Sequence, residues 1–246
     1  MISGYSAAQM RAAEAPLLAE GVPLMQRAAA ALARETLSLL GRPDAAVLLL
    51  VGSGNNGADA LYAGAILAEG GADVTIARTG DRVHADALAT ALAAGARTVD
   101  TSGAGGATPA QIAQLATSAD LVIDGILGTG TSANPALRGA GREIVAAILT
   151  AGVTTPVVAV DIPSGIGPDD GSVPDPCVLR ATLTMTFGGY KAGLLLEPAA
   201  GFAGEVRLAD IGLGERLALV EPVLRFAELS DRTTTGPSTG PGSESG

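Results

Sequence analysis

From Ala46 onward the chain alternates two kinds of segment. Short unbroken apolar runs are followed by longer stretches in which apolar residues return every three or four positions. The first kind reads as strand buried on both faces, the second as helix packed along one stripe. Strands are predicted at Ala46 to Gly52, Asp73 to Ala77, Asp120 to Leu127, Pro156 to Gly165, Ala181 to Gly189 and Gly204 to Gly212. Between them, helices are predicted at Asp59 to Ala68, His84 to Ala94, Pro109 to Thr117 and Leu137 to Leu149. Two further helices precede this block. Ser6 caps AAQMRAAEAPLLAE, and GVPLMQRAAAALARETLSLL runs up to the breaker Gly41-Arg42-Pro43. Strands alternating with helices make an α/β fold with a parallel sheet covered on both faces, and such sheets take ligands at the carboxyl ends of their strands. From Thr233 onward, TTTGPSTGPGSESG offers nothing that could pack. We therefore expect one domain over 1–230 and a disordered tail or linker over 231–246.

Composition narrows the chemistry. The chain has 246 residues, 48% of them hydrophobic, and a mean hydropathy of +0.38, yet no apolar run reaches the ~18 residues that a membrane span needs. MISGYSAAQMRAAEA lacks the basic and apolar regions of a signal peptide, so the cytoplasm is the expected compartment. Cys177 and His84 are the only cysteine and histidine, which removes disulfide scaffolds, thiolate zinc sites and histidine triads. Acid/base work falls to carboxylates, lysine or tyrosine. A formal charge of −10 and 2% aromatics argue against a nucleic-acid surface.

Three polar clusters each follow a predicted strand: GSGNNGAD at 52–59, Asp124 with GILGTGTSAN up to Asn134, and DIPSG at 161–165. In a parallel sheet the three loops open on one edge and can converge. The glycine turn at Gly52, Gly54 and Gly57 suits a phosphate at a helix N-terminus, although such turns also occur for purely geometric reasons. An NAD-dependent oxidoreductase would carry an acid at the end of the next strand to hold the ribose. Here that strand ends in Arg78-Thr79-Gly80, with Asp81 beyond the turn. Asp124 and Asp161 sit at the ends of apolar strands, where a lone carboxylate is costly unless paired or bound to a cation. Asn55 or Asn56, Asp124, Asp161 and Ser164 are all oxygen donors, which favours a hard cation and fits a monovalent one.

Asn55-Asn56-Gly57-Ala58-Asp59 resembles the N-N-G-G-D loop of the NAD(P)H-hydrate epimerase family, the N-terminal domain of YjeF-type proteins. VIDGILGTGTSANPALRG, VVAVDIPSGIGPDDG and TFGGYKAGLLLEPAAGFAGEVRLADIG match further landmarks in order, and SAAQMRAAEA with GVPLMQRAA resembles the family's opening helices. The resemblance runs from about Tyr5 to Leu213. It implies a Rossmann-like three-layer αβα sandwich with a mostly parallel central sheet, and interconversion of the R and S hydrates of NADH and NADPH. By position it places hydrate binding on Asn55, Asn56, Gly57, Ala58 and Asp59, on Gly128, Thr129, Gly130, Thr131, Ser132, Ala133 and Asn134, and on Asp161. It places a potassium ion on Asn56, Asp124 and Ser164, completed by backbone carbonyls. It also implies an ADP- or ATP-dependent hydrate dehydratase as functional partner, often fused in bacteria, and a homodimer; charge and hydropathy leave neither nucleic acid nor membrane as an expected partner. Ala58 and Ala60 stand where the family has glycine, so the loop must use ordinary backbone angles there or be slightly strained.

Epimerisation at a carbon bearing a hydroxyl and an amine nitrogen needs no redox partner. The ring nitrogen expels hydroxide, and water returns to the other face. A carboxylic acid helps by protonating the departing hydroxyl and, as its conjugate base, by activating the returning water. Asp161 is the first candidate and Asp59 the second. Lys191 either orients substrate and adjusts a carboxylate's pKa, or is a surface lysine beside a turn. The competing readings are a non-catalytic nucleotide- or protein-binding module of the same fold and an NAD-dependent oxidoreductase.

Overall fold

A computed structural model describes residues 1–99, 101, 106–130 and 134–226. The chain opens with β1 (Ile2–Tyr5), then α1 (Ala7–Ala19) and α2 (Leu24–Leu40). Ser6 caps α1 as the sequence predicts, through a capping box in which Ser6 Oγ accepts from the Gln9 amide and Gln9 Oε1 accepts from the Ser6 amide. The α/β block follows: β2 (Ala46–Val51), α3 (Asn55–Glu69), β3 (Asp73–Arg78), α4 (Ala85–Ala93), β4 (Arg97–Val99), α5 (Pro109–Ser118), β5 (Leu121–Gly125), α6 (Gly139–Thr150), β6 (Val157–Val160) and β7 (Leu183–Phe187). After β8 (Tyr190–Lys191) come two short 3-10 turns, Ala192–Leu195 and Ala199–Phe202. β9 (Glu205–Ala209), α7 (Gly214–Leu217) and β10 (Leu224–Phe226) complete the described chain.

Seven strands form one parallel sheet in the order β4-β3-β2-β5-β6-β7-β9. The chain builds outward from β2 to β4, returns to β5 beside β2, and builds to the other edge. The reversal between β2 and β5 is a topological switch point, the crevice where open sheets of this kind bind ligands. Within β2 alternate residues serve opposite faces. Val47, Leu49 and Val51 join the core under α1 to α4, while Leu48 and Leu50 join the core under α5 and α6. Both layers are covered, so the α/β Rossmann-like expectation holds. No described helix is long and apolar enough to cross a membrane.

Two differences from the sequence reading bear on the site. First, α3 starts at Asn55, four residues before the predicted start, because Asn55 and Asn56 lie in its first turn. Ala58 and Ala60 are therefore helical and fully buried. Asp161, at φ +68°, is the one non-glycine residue at positive φ among those described. The extra methyl of Ala60 has room because Gly125 faces it, where a Cβ would lie 2.7 Å from the Ala60 Cβ. Second, four short strands were not predicted. β4 joins the edge of the main sheet, and a separate sheet runs β10-β1-β8, with Tyr5 of β1 registered against Lys191 of β8. Strands of two to four residues with polar, intermediate or exposed positions leave too little pattern to read.

Candidate functional site

The loops after β2, β5 and β6 meet at the carboxyl edge of the sheet. The glycine turn lets α3 dock closely on β2: a Cβ on Gly57 would stand 2.1 Å from the Gly52 carbonyl oxygen. Gly128 in turn lies against the Asn56 side chain, where a Cβ would be 2.0 Å from Asn56 Oδ1. These contacts leave a trough of three basins with shared walls. An inner basin of about 130 Å³ is walled by Glu14, Asn55, Asp59, Thr129, Asp161 and Lys191 on its polar side. A middle basin of about 390 Å³ runs between the two glycine loops, from Ser53 and Asn55 to Gly128, Thr129 and Gly130, under Arg11 and Glu14. An outer basin of about 550 Å³ lies over the switch point, reached past Ser53, Ile126 and Leu127.

Two carboxylates of the inner basin have opposite surroundings. Asp161 is tied down: its Oδ1 accepts from the Phe187 amide at 3.1 Å, from Thr186 Oγ1 at 3.2 Å and from Lys191 Nζ. Lys191, the only lysine of the chain, is just 2% exposed and also donates to the Phe187 carbonyl at 2.8 Å. It is not the surface lysine that the sequence left open. Asp59 is 7% exposed, and its Oδ1 has no hydrogen-bond partner among the described residues. Burial, then the nearby Asp161 charge, push its carboxyl well above the ordinary value, against the pull of Lys191. Glu14, half-buried on α1, is also raised by burial. Three carboxyls thus share a small basin with one ammonium, and burial favours the protonated form of Asp59.

Asn56, Asp124 and Ser164, the residues predicted to hold a cation, meet at a corner around Leu127. Asp124 accepts from Ser164 Oγ at 2.6 Å, from the Ser164 amide at 2.9 Å and from the Ile126 amide at 3.3 Å. Ser164 Oγ accepts from the Leu127 amide at 2.8 Å. The Asn56 amide group donates to the carbonyls of Leu127, at 3.2 Å, and Val160. Asp124 is 1% exposed and its partners are all neutral donors, so burial raises its pKa more than these bonds lower it. A buried carboxylate without a cationic partner among the described residues, with the Ser164 hydroxyl against it and the Leu127 carbonyl accepting from both Ser164 and Asn56, brings together oxygens of the kind that suit a monovalent cation.

Of the other predicted ligands, Asn55, Gly128, Thr129 and Gly130 line the trough, and Asn134 lines the outer basin, its Oδ1 accepting from the Ala136 amide at 3.0 Å. Gly57 and Ala58 face the β2 packing contact, and neither lines a described basin. Thr131, Ser132 and Ala133 lie outside the described residues, as does the 231–246 tail. Sequence reasoning missed Arg11 and Glu14, one helical turn apart on α1, because no motif ties that helix to the sheet edge. The register of β1 with β8 does so in space.

Residues 21–193 match the family described as YjeF-related protein N-terminus. A protein of Clavibacter michiganensis named NAD(P)H-hydrate epimerase is 52% identical over 91% of this chain and 96% of its own length. A Mycobacterium tuberculosis protein named bifunctional NAD(P)H-hydrate repair enzyme Nnr is 41% identical over 96% of this chain but only 46% of its own length. The crystal structure of yeast ynu0 superposes with a TM-score of 0.69 at 15% identity, covering 85% of this chain and 88% of that one, and so shows the fold.

Proposed function

The chain belongs to the family of YjeF-related protein N-termini, and on that premise we propose that it is an NAD(P)H-hydrate epimerase that interconverts the R and S hydrates of NADH and NADPH. Two relatives 52% and 45% identical over most of the chain carry that name, which supports the reading. The observation that carries it is the inner basin, where a buried Asp59, its Oδ1 unpartnered among the described residues, lies beside an Asp161 held by Lys191. The hydrated ring carbon bears a hydroxyl and the ring nitrogen. The nitrogen lone pair forms the carbon–nitrogen double bond as the carbon–oxygen bond breaks, and the Asp59 carboxyl gives its proton to the departing oxygen. Water then adds to either face of the cationic ring, and the Asp59 carboxylate recovers the proton. Atoms and charge balance without an oxidant. Burial favours Asp59 as this acid. Asp161, whose negative charge Lys191 fixes in place, stabilises the cationic ring and orients water.

Asp124, Ser164, Asn56 and the carbonyls of Leu127 and Val160 would hold a potassium ion. Its charge would neutralise Asp124 and help an acidic protein accept a pyrophosphate. The greater length of the mycobacterial relative named bifunctional supports a second repair activity acting beside this one on the same hydrates. The test adds this protein to a mixture of hydrate epimers together with a dehydratase that accepts one of them. The reading predicts consumption past the usable epimer to completion. A halt there, at the spontaneous rate of conversion, would refute it.

A further inference from the structure

The outer basin has no role in the chemistry above, yet it is the largest of the three and lies at the switch point between β2 and β5. Its walls carry Thr79, Gly80, Asp81 and Arg82 from the turn after β3, and Arg138 with Gly141 from the start of α6. The turn is fixed in place: the Thr79 amide and hydroxyl both donate to the Val51 carbonyl, at 2.9 and 3.0 Å, and Arg78 donates to the Asp81 carbonyl. Elsewhere in this acidic chain arginines are either paired with carboxylates, as in Arg42 with Asp120, Arg97 with Asp73 and Arg142 with Asp175, or tied to backbone carbonyls, as are Arg11, Arg27, Arg78 and Arg180. The guanidinium groups of Arg82 and Arg138 have neither an ion-pair nor a hydrogen-bond partner among the described residues. They face one cavity, against the single carboxylate of Asp81.

In a sheet of this topology the adenosine ribose lies at the end of the strand next to the switch strand. An acid there reads the free 2′-hydroxyl, and an arginine nearby accommodates a 2′-phosphate. Here β3 ends in Arg78, and the flanking guanidinium groups outnumber the one acid. Resting on the proposed function, we propose that the outer basin binds the adenosine ribose with its 2′-phosphate, that Arg82 and Arg138 are the anion ligands, and that the enzyme favours the hydrate of NADPH over that of NADH. Guanidinium forks suit a phosphate dianion, and two charge-assisted contacts are enough for a preference of about tenfold or more. The inner basin is common to both substrates, so the discrimination resides at the far end of the trough from the chemistry.

The test measures binding of 2′,5′-ADP and 5′-AMP by calorimetry, and kcat/KM on the two hydrates, for the parent protein and for R82A/R138A. The parent should bind 2′,5′-ADP about tenfold or more tighter and prefer the phosphorylated hydrate by a similar factor. Both ratios should collapse toward one in R82A/R138A and grow in D81N. R42Q/R97Q, which removes the same charge from the opposite edge of the sheet, should keep both ratios. Equal affinity for the two probes in the parent, or ratios that survive R82A/R138A, would overturn the proposal even with epimerase activity intact. A parent that discriminates between the probes but turns over neither hydrate would uphold this site and refute the epimerase reading.

Discussion

At the amino ends of the strands, Asp73 opens β3 in the grip of Arg97, and Asp120, just before β5, accepts from Arg42 at 2.7 Å and from the Ala46 amide at 2.8 Å. These carboxylates are exposed, and Asp120 is held below its ordinary pKa, mainly by the Ala46 amide and Arg42. At the carboxyl ends of the same sheet, Asp59 and Asp124 are buried without a cation in contact among the described residues and are pushed the other way. Both edges belong to one parallel sheet built from similar apolar strands, so fold alone does not set this difference. Burying unmatched charge costs folding free energy. Such carboxylates gather at the switch-point edge, where the proposed reaction calls for a proton and the proposed ion would supply the missing positive charge.

The contrast can be broken most severely at Asp161, the one carboxylate of the carboxyl edge with a buried cationic partner among the described residues. D161N leaves the Lys191 ammonium enclosed and unpaired, which should lower the unfolding free energy by ~3–5 kcal/mol in a denaturant titration and abolish turnover. Parent-like stability would show that the pair does not hold this corner together. D59N acts in the opposite sense on stability. It should lower kcat by about 10²- to 10⁴-fold while leaving the fold at least as stable at neutral pH. The sign follows from linkage. With the folded pKa raised, the unfolded chain loses this proton first, so between the ordinary carboxylate pKa and the raised value the contribution of Asp59 becomes more destabilising as pH rises. The parent's Tm should therefore fall with pH through that window relative to D59N, and parallel curves would contradict the burial argument.

D124N sharpens the comparison at the cation corner. It should weaken hydrate binding by about tenfold and remove any potassium dependence of the rate, because it takes away the charge that the ion would balance. Unchanged potassium dependence would remove Asp124 from the ion's ligands. At the amino edge, R97Q should cost only ~0–1 kcal/mol and leave kcat as it was, as expected of an exposed pair.

How far the sequence reveals all this depends on how local each cause is. The long strands and helices were legible because their pattern repeats within a single segment, and the meeting of GSGNNGAD, Asp124 and DIPSG was legible because parallel strands bring such loops to one edge. The helical state of Asn55 and Asn56 was not, since asparagine before glycine also suits a turn and only the docking of Gly57 on β2 decides. Nor was the state of Lys191. Its burial against Asp161 depends on the small β10-β1-β8 sheet, whose strands are too short to show a period and pair residues up to 224 positions apart. The same sheet anchors α1, so Arg11 and Glu14 were hidden for the same reason. Long-range register, not local chemistry, separates the visible part of the site from the rest.

The pH profile of kcat/KM on a single hydrate epimer tests the stored proton most directly. If Asp59 enters the reaction protonated, the enzymatic rate holds through the ordinary carboxylate range and falls at higher pH, and D59N retains no such limb. A rate that instead rises with pH through the carboxylate range, or an alkaline limb that persists unchanged in D59N, would contradict the account.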